Sequence, residues 1–317
     1  MSYRHIPIMV NEVIDYLGCS PGKTYVDGTL GGGGHAQAIL QHIGPSGSFI
    51  GIDRDPDAIA WAHNTLHRFQ SNIQLYNDDF ARLPQILSLA GRKQVDGILL
   101  DLGLSLYQLE GSGRGFSFLR DEPLDMRMNP EERHSAEDIV NGFSERDLAD
   151  LIFRYGEETW AKRVARAILR ARHSGRIRSS LRLAEIVKEA IPPKHRPRRI
   201  HAATRTFQAI RIAVNHELES LEQLLNHSAD LLNPKGRLCV LSFHSLEDRM
   251  VKQHFRAMAR GCDCPPDFPV CVCGKIPQIR ILTKKPVMCA PAEVEANPMA
   301  RSAKLRAFER LEGGLRE

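Results

Sequence analysis

Four consecutive glycines, Gly31 to Gly34, stand between a short apolar run ending Tyr25-Val26-Asp27 and a run with helical spacing, Ala36, Ile39, Leu40 and Ile43. That order predicts a strand, a tight loop and a helix. Glycine admits positive φ and lets the backbone approach a ligand, and the N–H groups at the head of the helix offer donors. A second apolar run, Ser48 to Ile52, ends in Asp53, at the offset of about 20 residues where a βαβ unit carries the acid that holds ribose hydroxyls. The pattern predicts a nucleoside-containing cofactor without saying which one. A nicotinamide-dependent oxidoreductase would use the same loop and acid.

The alternation continues along the chain. Residues 57–69 have helical spacing, 73–76 read as a strand, Leu83, Ile86, Leu87 and Ala90 form another helical stripe, and 95–101 are a nearly continuous apolar strand ending in Asp101. Such alternation makes a doubly wound parallel sheet, with ligands beyond the carboxyl ends of the strands. Asp27, Asp53, Asp79 and Asp101 all fall at or just past those ends. The pattern breaks after Asp101. A stretch over 111–130 is rich in Gly, Arg and Met, and helices are expected over 144–155, 158–172 and 180–191, with Ser144 as a cap and Pro192-Pro193 as a stop. Residues 204–232 then read as one long amphipathic helix, 237–242 as a strand and 246–259 as a helix. The runs 279–282 and 303–308 read as a terminal hairpin at the sheet's edge. The expected organisation is an α/β domain from 1–110 and 205–317, interrupted by a helical, basic insertion over 111–204.

Charge is unevenly spread. Between Trp160 and Arg205 there are 14 Lys and Arg against only Glu185 and Glu189, although the whole chain carries only +5. A basic segment in an otherwise acidic chain predicts contact with nucleic-acid phosphates, with Arg196, Arg198, Arg199 and Arg205 as candidate ligands and Arg114 nearer the site. A non-catalytic ribosome-assembly factor on a cofactor fold would share this feature. Without an apolar run of about 18 residues no membrane span is expected, and without a secretory leader a cytoplasmic location follows. Seven cysteines argue against a disulfide scaffold. Cys262, Cys264, Cys271 and Cys273 are close enough in sequence to bind zinc. Paired C-x-C is tighter than the usual C-x2-C, so reduced thiols and no metal are expected.

Beyond the glycine loop, a series of motifs occurs in order: Ile52-Asp53-Arg54-Asp55, Leu100-Asp101-Leu102-Gly103, Arg114-Gly115-Phe116-Ser117-Phe118, Pro123-Leu124-Asp125-Met126-Arg127-Met128, Ala203-Thr204-Arg205-Thr206-Phe207-Gln208, Ser242-Phe243-His244-Ser245-Leu246-Glu247-Asp248-Arg249 and Asn297-Pro298-Met299-Ala300-Arg301-Ser302. In these the chain closely resembles, over essentially its whole length, the bacterial 16S rRNA cytosine-N4 methyltransferases, the RsmH (MraW) family. The resemblance implies a class I S-adenosyl-L-methionine (SAM) methyltransferase fold, a Rossmann-like doubly wound sheet with an inserted helical substrate-recognition domain. It also implies methylation of a cytidine N4 in the P-site decoding region of 16S rRNA, in the small subunit or its late precursor. Gly33, Gly34, His35, Asp53, Phe80, Asp101 and Gln108 match the family's cofactor contacts. The family usually reads Val-Ser-Ser between Gly103 and Gln108; here the run is Leu104-Ser105-Leu106-Tyr107.

An exocyclic amino group conjugated with its ring is a weak nucleophile. Transfer therefore needs in-line placement and an acceptor for the amino hydrogens. Many amino-methyltransferases carry an Asp, Asn or Ser followed by Pro-Pro-aromatic at the end of the fourth strand. Here that place holds Asp101-Leu102-Gly103-Leu104, so the acceptor is Asp101 or one of Ser242, His244 and Ser245 at the next strand end. A homodimer is left open.

Overall fold

Strand residues in this protein alternate between two apolar clusters, as expected for a sheet covered on both faces. The computed structural model describes residues 7–69, 71–262, 264, 270 and 272–312. These fall into two compact units, one of Leu104–Leu218 and the other of the described residues of Arg4–Gly103 and Glu219–Glu317. The expected insertion, 111–204, lies inside the first unit, which also takes in 104–110 and 205–218.

The larger unit opens with α1 (Val10–Leu17), followed by β1 (Thr24–Asp27), α2 (Gly34–Ile43), β2 (Ser48–Asp53), α3 (Pro56–Leu66), β3 (Asn72–Asn77), α4 (Leu83–Leu89) and β4 (Val95–Asp101). These four strands are parallel, with β1 between β2 and β4. Sequence reasoning left out α1, although Val10, Val13, Ile14 and Leu17 have the i, i+3, i+4, i+7 spacing of a buried helix face.

The smaller unit is helical: α5 (Leu106–Glu110), α6 (Ala136–Gly142), α7 (Glu145–Gly156), α8 (Ala161–His173), α9 (Ser180–Ala190) and α10 (Thr204–Asn215). The start of α7 is capped by Ser144, whose side chain accepts the Asp147 N–H. Its core is one apolar cluster that includes Ile139, Leu148, Ile152, Val164, Ile168, Leu183, Val187 and Phe207. The Gly-, Arg- and Met-rich stretch is ordered from within. The Arg114 guanidinium donates to the carbonyls of Arg127 and Met128. Asn215 accepts the Met128 N–H at 2.7 Å and donates to the Met126 carbonyl.

One expectation is corrected where the sheet resumes. The helix expected over 204–232 is two helices, α10 and α11 (Glu217–His227). They are separated by His216, whose φ of 50° is left-handed and ends α10. Apolar periodicity runs through the break, which is why it was hidden. After β5 (Leu232–Ser242) and α12 (Ser245–Ala259) come β6 (Ile279–Ile281), β7 (Val287–Met288), α13 (Pro291–Ala296) and β8 (Lys304–Arg310). The two strands expected over 279–282 and 303–308 pair antiparallel at the sheet's edge, with β7 and α13 between them in the chain. β8 lies inside the sheet, antiparallel to β5 on one side and to both β6 and β7 on the other. The order is β3-β2-β1-β4-β5-β8-β6. A buried Ala303-Leu305-Ala307 face opposite a buried Phe308 accounts for that interior place.

One face of the sheet buries Val26, Ile50, Ile98, Leu100, Leu238 and Val240 under α4, α11 and α12. The other buries Tyr25, Phe49, Leu99, Cys239 and Leu241 under α1, α2 and α3. No helix among the described residues is long and apolar enough to cross a membrane.

Candidate active site at the carboxyl ends of the strands

The turn after β1 is built from positions that reject side chains. A Cβ on Gly28 would lie 2.7 Å from Leu100 Cδ2 and 3.0 Å from Phe80 Cβ. Gly31 and Gly33 have φ of +48° and +75°, and Gly33 caps the start of α2. The chain thus reverses tightly and brings the first-turn N–H groups of α2 to the strand ends. Residues 7–9 close on the turn. A Cβ on Gly34 would lie 2.8 Å from Pro7 Cγ, and Met9 donates its N–H to Glu293 at 2.7 Å.

Three carboxylates ring this turn. Asp27, 1% exposed, accepts the Thr29 N–H at 3.1 Å. Burial pushes its carboxyl up to about 7, against the lowering pull of His35 and the Thr29 N–H. Asp53 accepts the Gly31 N–H at 2.7 Å through one oxygen and the Asp55 N–H at 2.9 Å through the other. Burial pushes it up to about 6, with those two N–H groups pulling the other way. Asp101 closes β4, and its own N–H donates to Thr29 Oγ1 at 2.5 Å. Its Oδ2 lies 3.5 Å from His35 Nδ1. The buried His35 ring is held below its ordinary value by desolvation, and its Nε2 is 2.8 Å from the Ile8 carbonyl. With the proton on Nε2 and donated there, His35 Nδ1 turns a lone pair toward Asp101.

The remaining expected residues have well-defined surroundings. Phe80 is buried at the head of a short 3-10 turn capped by Asp79. Asp79 also binds the Arg54 guanidinium and accepts from Ser220 Oγ at 2.7 Å. Ser242 is buried and donates its hydroxyl to the Lys304 carbonyl at 3.4 Å. His244 caps α12: its Nδ1 accepts the Glu247 N–H at 3.4 Å, and Nε2 lies 3.1 Å from Glu247 Oε1. Glu247 returns Oε2 to the N–H groups of Phe243 and His244. Ser245 is exposed at the first turn of that helix.

In the smaller unit, Gln108 is buried and caps α5, its Oε1 accepting the Ser105 N–H at 3.1 Å. The divergent run ahead of it still forms a full capping box. Arg114, Arg196 and Arg205 donate to backbone carbonyls, Arg196 to Ile191 at 3.0 Å and Arg205 to Glu157 at 3.4 Å. Arg198 and Arg199 are exposed. Sequence reasoning missed Thr29, Glu247 and the segment Pro7–Met9. Thr29 lies between Asp27 and the four glycines, and the Glu247 spacing from His244 is that of a capping box. Nothing in the sequence pattern marks the packing of Pro7 on Gly34.

The sequence profile of the MraW methylase family matches residues 2–311. The chain belongs to that family. It is accordingly a methyltransferase, built on a doubly wound, mostly parallel α/β sheet. It is 53% identical over 313 residues to "Ribosomal RNA small subunit methyltransferase H" of Desulforapulum autotrophicum, covering 98% of this chain and 100% of that one. It is 51% identical over 311 residues to the protein of the same name from Geobacter sulfurreducens, again covering 98% and 100%. Among solved structures, an rRNA methylase from Streptococcus thermophilus superimposes with a TM-score of 0.42 at 11% identity, covering 98% of this chain and 100% of that one.

Proposed function

We propose that this methylase transfers the methyl group of SAM to the N4 of a cytidine in the P-site decoding region of 16S rRNA, acting in the cytoplasm on the small subunit or its late precursor. The observation that carries the reading is the seat of Asp101 at the end of β4, against the glycine turn and 3.5 Å from His35. The relatives named above, alike from end to end, supply the substrate class.

The turn fits the donor. An ionised carboxylate offers about four lone-pair sites; Asp53 gives one from each oxygen to the Gly31 and Asp55 N–H groups, which leaves acceptors for two ribose hydroxyls. The N-terminus of α2, at Gly33, Gly34 and His35, suits the donor's carboxylate. Phe80, packed beside Gly28, offers an apolar edge for the adenine. When bound, SAM supplies an electrophilic methyl on a sulfonium.

The chain's own residues supply position and acceptors. Asp101 Oδ2 and His35 Nδ1 are acceptors facing one region, and an amino hydrogen entering beside them is drawn to both. Asp101 accepts that hydrogen, which frees the nitrogen lone pair for attack. Ser242 and His244 already serve the β5–β8 pairing and the α12 cap and Ser245 is exposed, whereas Asp101 stands at the glycine turn, so the acceptor role is assigned to Asp101. A covalent route through a thiolate has little support: burial pushes Cys19 up to about 12 and holds Cys239 higher still. Phosphates of the rRNA meet the basic helical unit, with Arg198 and Arg199 outermost.

The test is transfer of tritiated methyl from SAM to undermethylated small subunits. The wild-type protein labels 16S rRNA, and Asp101→Ala lowers single-turnover transfer by about 100-fold or more at saturating SAM. Absence of label in the RNA overturns the function. Wild-type transfer by Asp101→Ala removes Asp101 from the mechanism.

A further inference from the structure

The loop between α12 and β6 gathers three cysteines that the methyl-transfer chemistry does not use. Its neck is closed: Gln278 donates its N–H to the Met258 carbonyl at 3.0 Å, and a Cβ on Gly261 would lie 3.1 Å from Pro277 Cγ. Beyond that neck the sulfurs of Cys262, Cys264 and Cys273 all lie within 4.8 Å of one another. The Cys262 and Cys273 sulfurs are 3.8 Å apart. A zinc ion with Zn–S bonds of about 2.3 Å in tetrahedral array holds its sulfurs about 3.8 Å from each other. A disulfide would bring them to about 2.05 Å. The Cys264 N–H points at the Cys262 sulfur at 3.3 Å. Cys271 lies outside the described residues.

We infer that Cys262, Cys264 and Cys273 are ligands of a structural zinc ion that fastens the α12–β6 loop above its neck. Soft thiolates select Zn2+ over the hard cations. Cys262 and Cys264 are partly buried and Cys273 is exposed, so the ion would sit near the surface, as suits a staple. Between Arg260 and β6 the described chain has no helix or strand of its own, and a metal there supplies the cross-link that packing does not. The sequence reading, which expected free thiols, judged C-x-C too tight for a knuckle. The fold answers this by bringing Cys273 back across the loop to Cys262.

Metal analysis of the full-length protein, purified without an immobilised-metal step, tests the inference. About one zinc per chain is expected. It should fall below about a tenth in Cys262→Ser and in Cys273→Ser, and stay unchanged in Cys19→Ser, which lies outside the cluster. Circular dichroism and SAM binding identify variants that are still folded. If the serine variants fail to fold, replacement of the zinc by Co2+ in the wild-type protein decides: thiolate-to-cobalt charge transfer with intense tetrahedral d–d bands is expected. Zinc-free wild-type protein that also gives no thiolate–cobalt spectrum overturns the inference, as does full zinc content in a folded Cys262→Ser or Cys273→Ser variant. A disulfide between Cys262 and Cys273 in freshly purified protein, found by mass spectrometry, overturns it equally.

Discussion

Asp53 and Asp27 set the pH behaviour of the glycine turn, because burial raises both carboxyls above their ordinary 3.8, to about 6 and about 7. An acid raised by burial stabilises the fold while protonated. That contribution is whole below about pH 3.8 and is lost as pH rises through the folded value. Asp27→Asn keeps an acceptor for the Thr29 N–H and removes the buried charge. It is expected to raise the melting temperature by several degrees at pH 8 and to change it little below about pH 4. Donor binding runs the other way, because ribose hydroxyls need the ionised form of Asp53. Calorimetric affinity for SAM should be flat above about pH 7 and should weaken as pH falls through 6. Affinity independent of pH between 5 and 8 would remove the carboxylate from the ribose contact.

At the level of elements, the helical unit depends on one close approach. A Cβ on Gly156 at the end of α7 would lie 2.5 Å from the Arg205 carbonyl and 3.3 Å from Ala209 Cβ in α10. Gly156→Ala forces the two helices apart and is expected to cost about 1–3 kcal/mol, read as a lower denaturant midpoint with α7 and α10 losing amide protection first. An unchanged midpoint would mean the helices are looser than they stand. The elements also mark what the sequence disclosed. The glycine turn, β1 to β4 and the Ser144 cap were legible because glycine, β-branched runs and Ser-x-x-Asp each act over a few residues. The break at His216 and the interior place of β8 were not. The first interrupts no apolar spacing, and the second depends on which strand β8 pairs with across the sheet, a choice made by long-range burial. The site follows the same division: Asp53 and Asp101 stood out at strand ends, whereas the hold of Thr29 on the Asp101 N–H appears only once β1 and β4 are paired.

For the molecule as a whole, the separation of charge predicts a division of labour between RNA affinity and donor affinity. Arg198 and Arg199 are exposed, whereas Arg114, Arg196 and Arg205 brace backbone carbonyls. Charge reversal at 198 and 199 therefore tests phosphate contact without undoing the fold. The double variant Arg198→Glu/Arg199→Glu should bind 16S rRNA more weakly and lower the slope of log affinity against log salt by about 0.7 per lost contact, with SAM affinity unchanged. An unaltered slope would assign RNA binding to another surface. The account as a whole turns on which atom receives the methyl group. Undermethylated small subunits incubated with the wild-type protein and SAM bearing a deuterated methyl group, then digested to nucleosides and read by mass spectrometry, give the answer. The label is expected on N4 of a single cytidine in the decoding region of 16S rRNA; label on a ring carbon, on a ribose hydroxyl or on another base would contradict it.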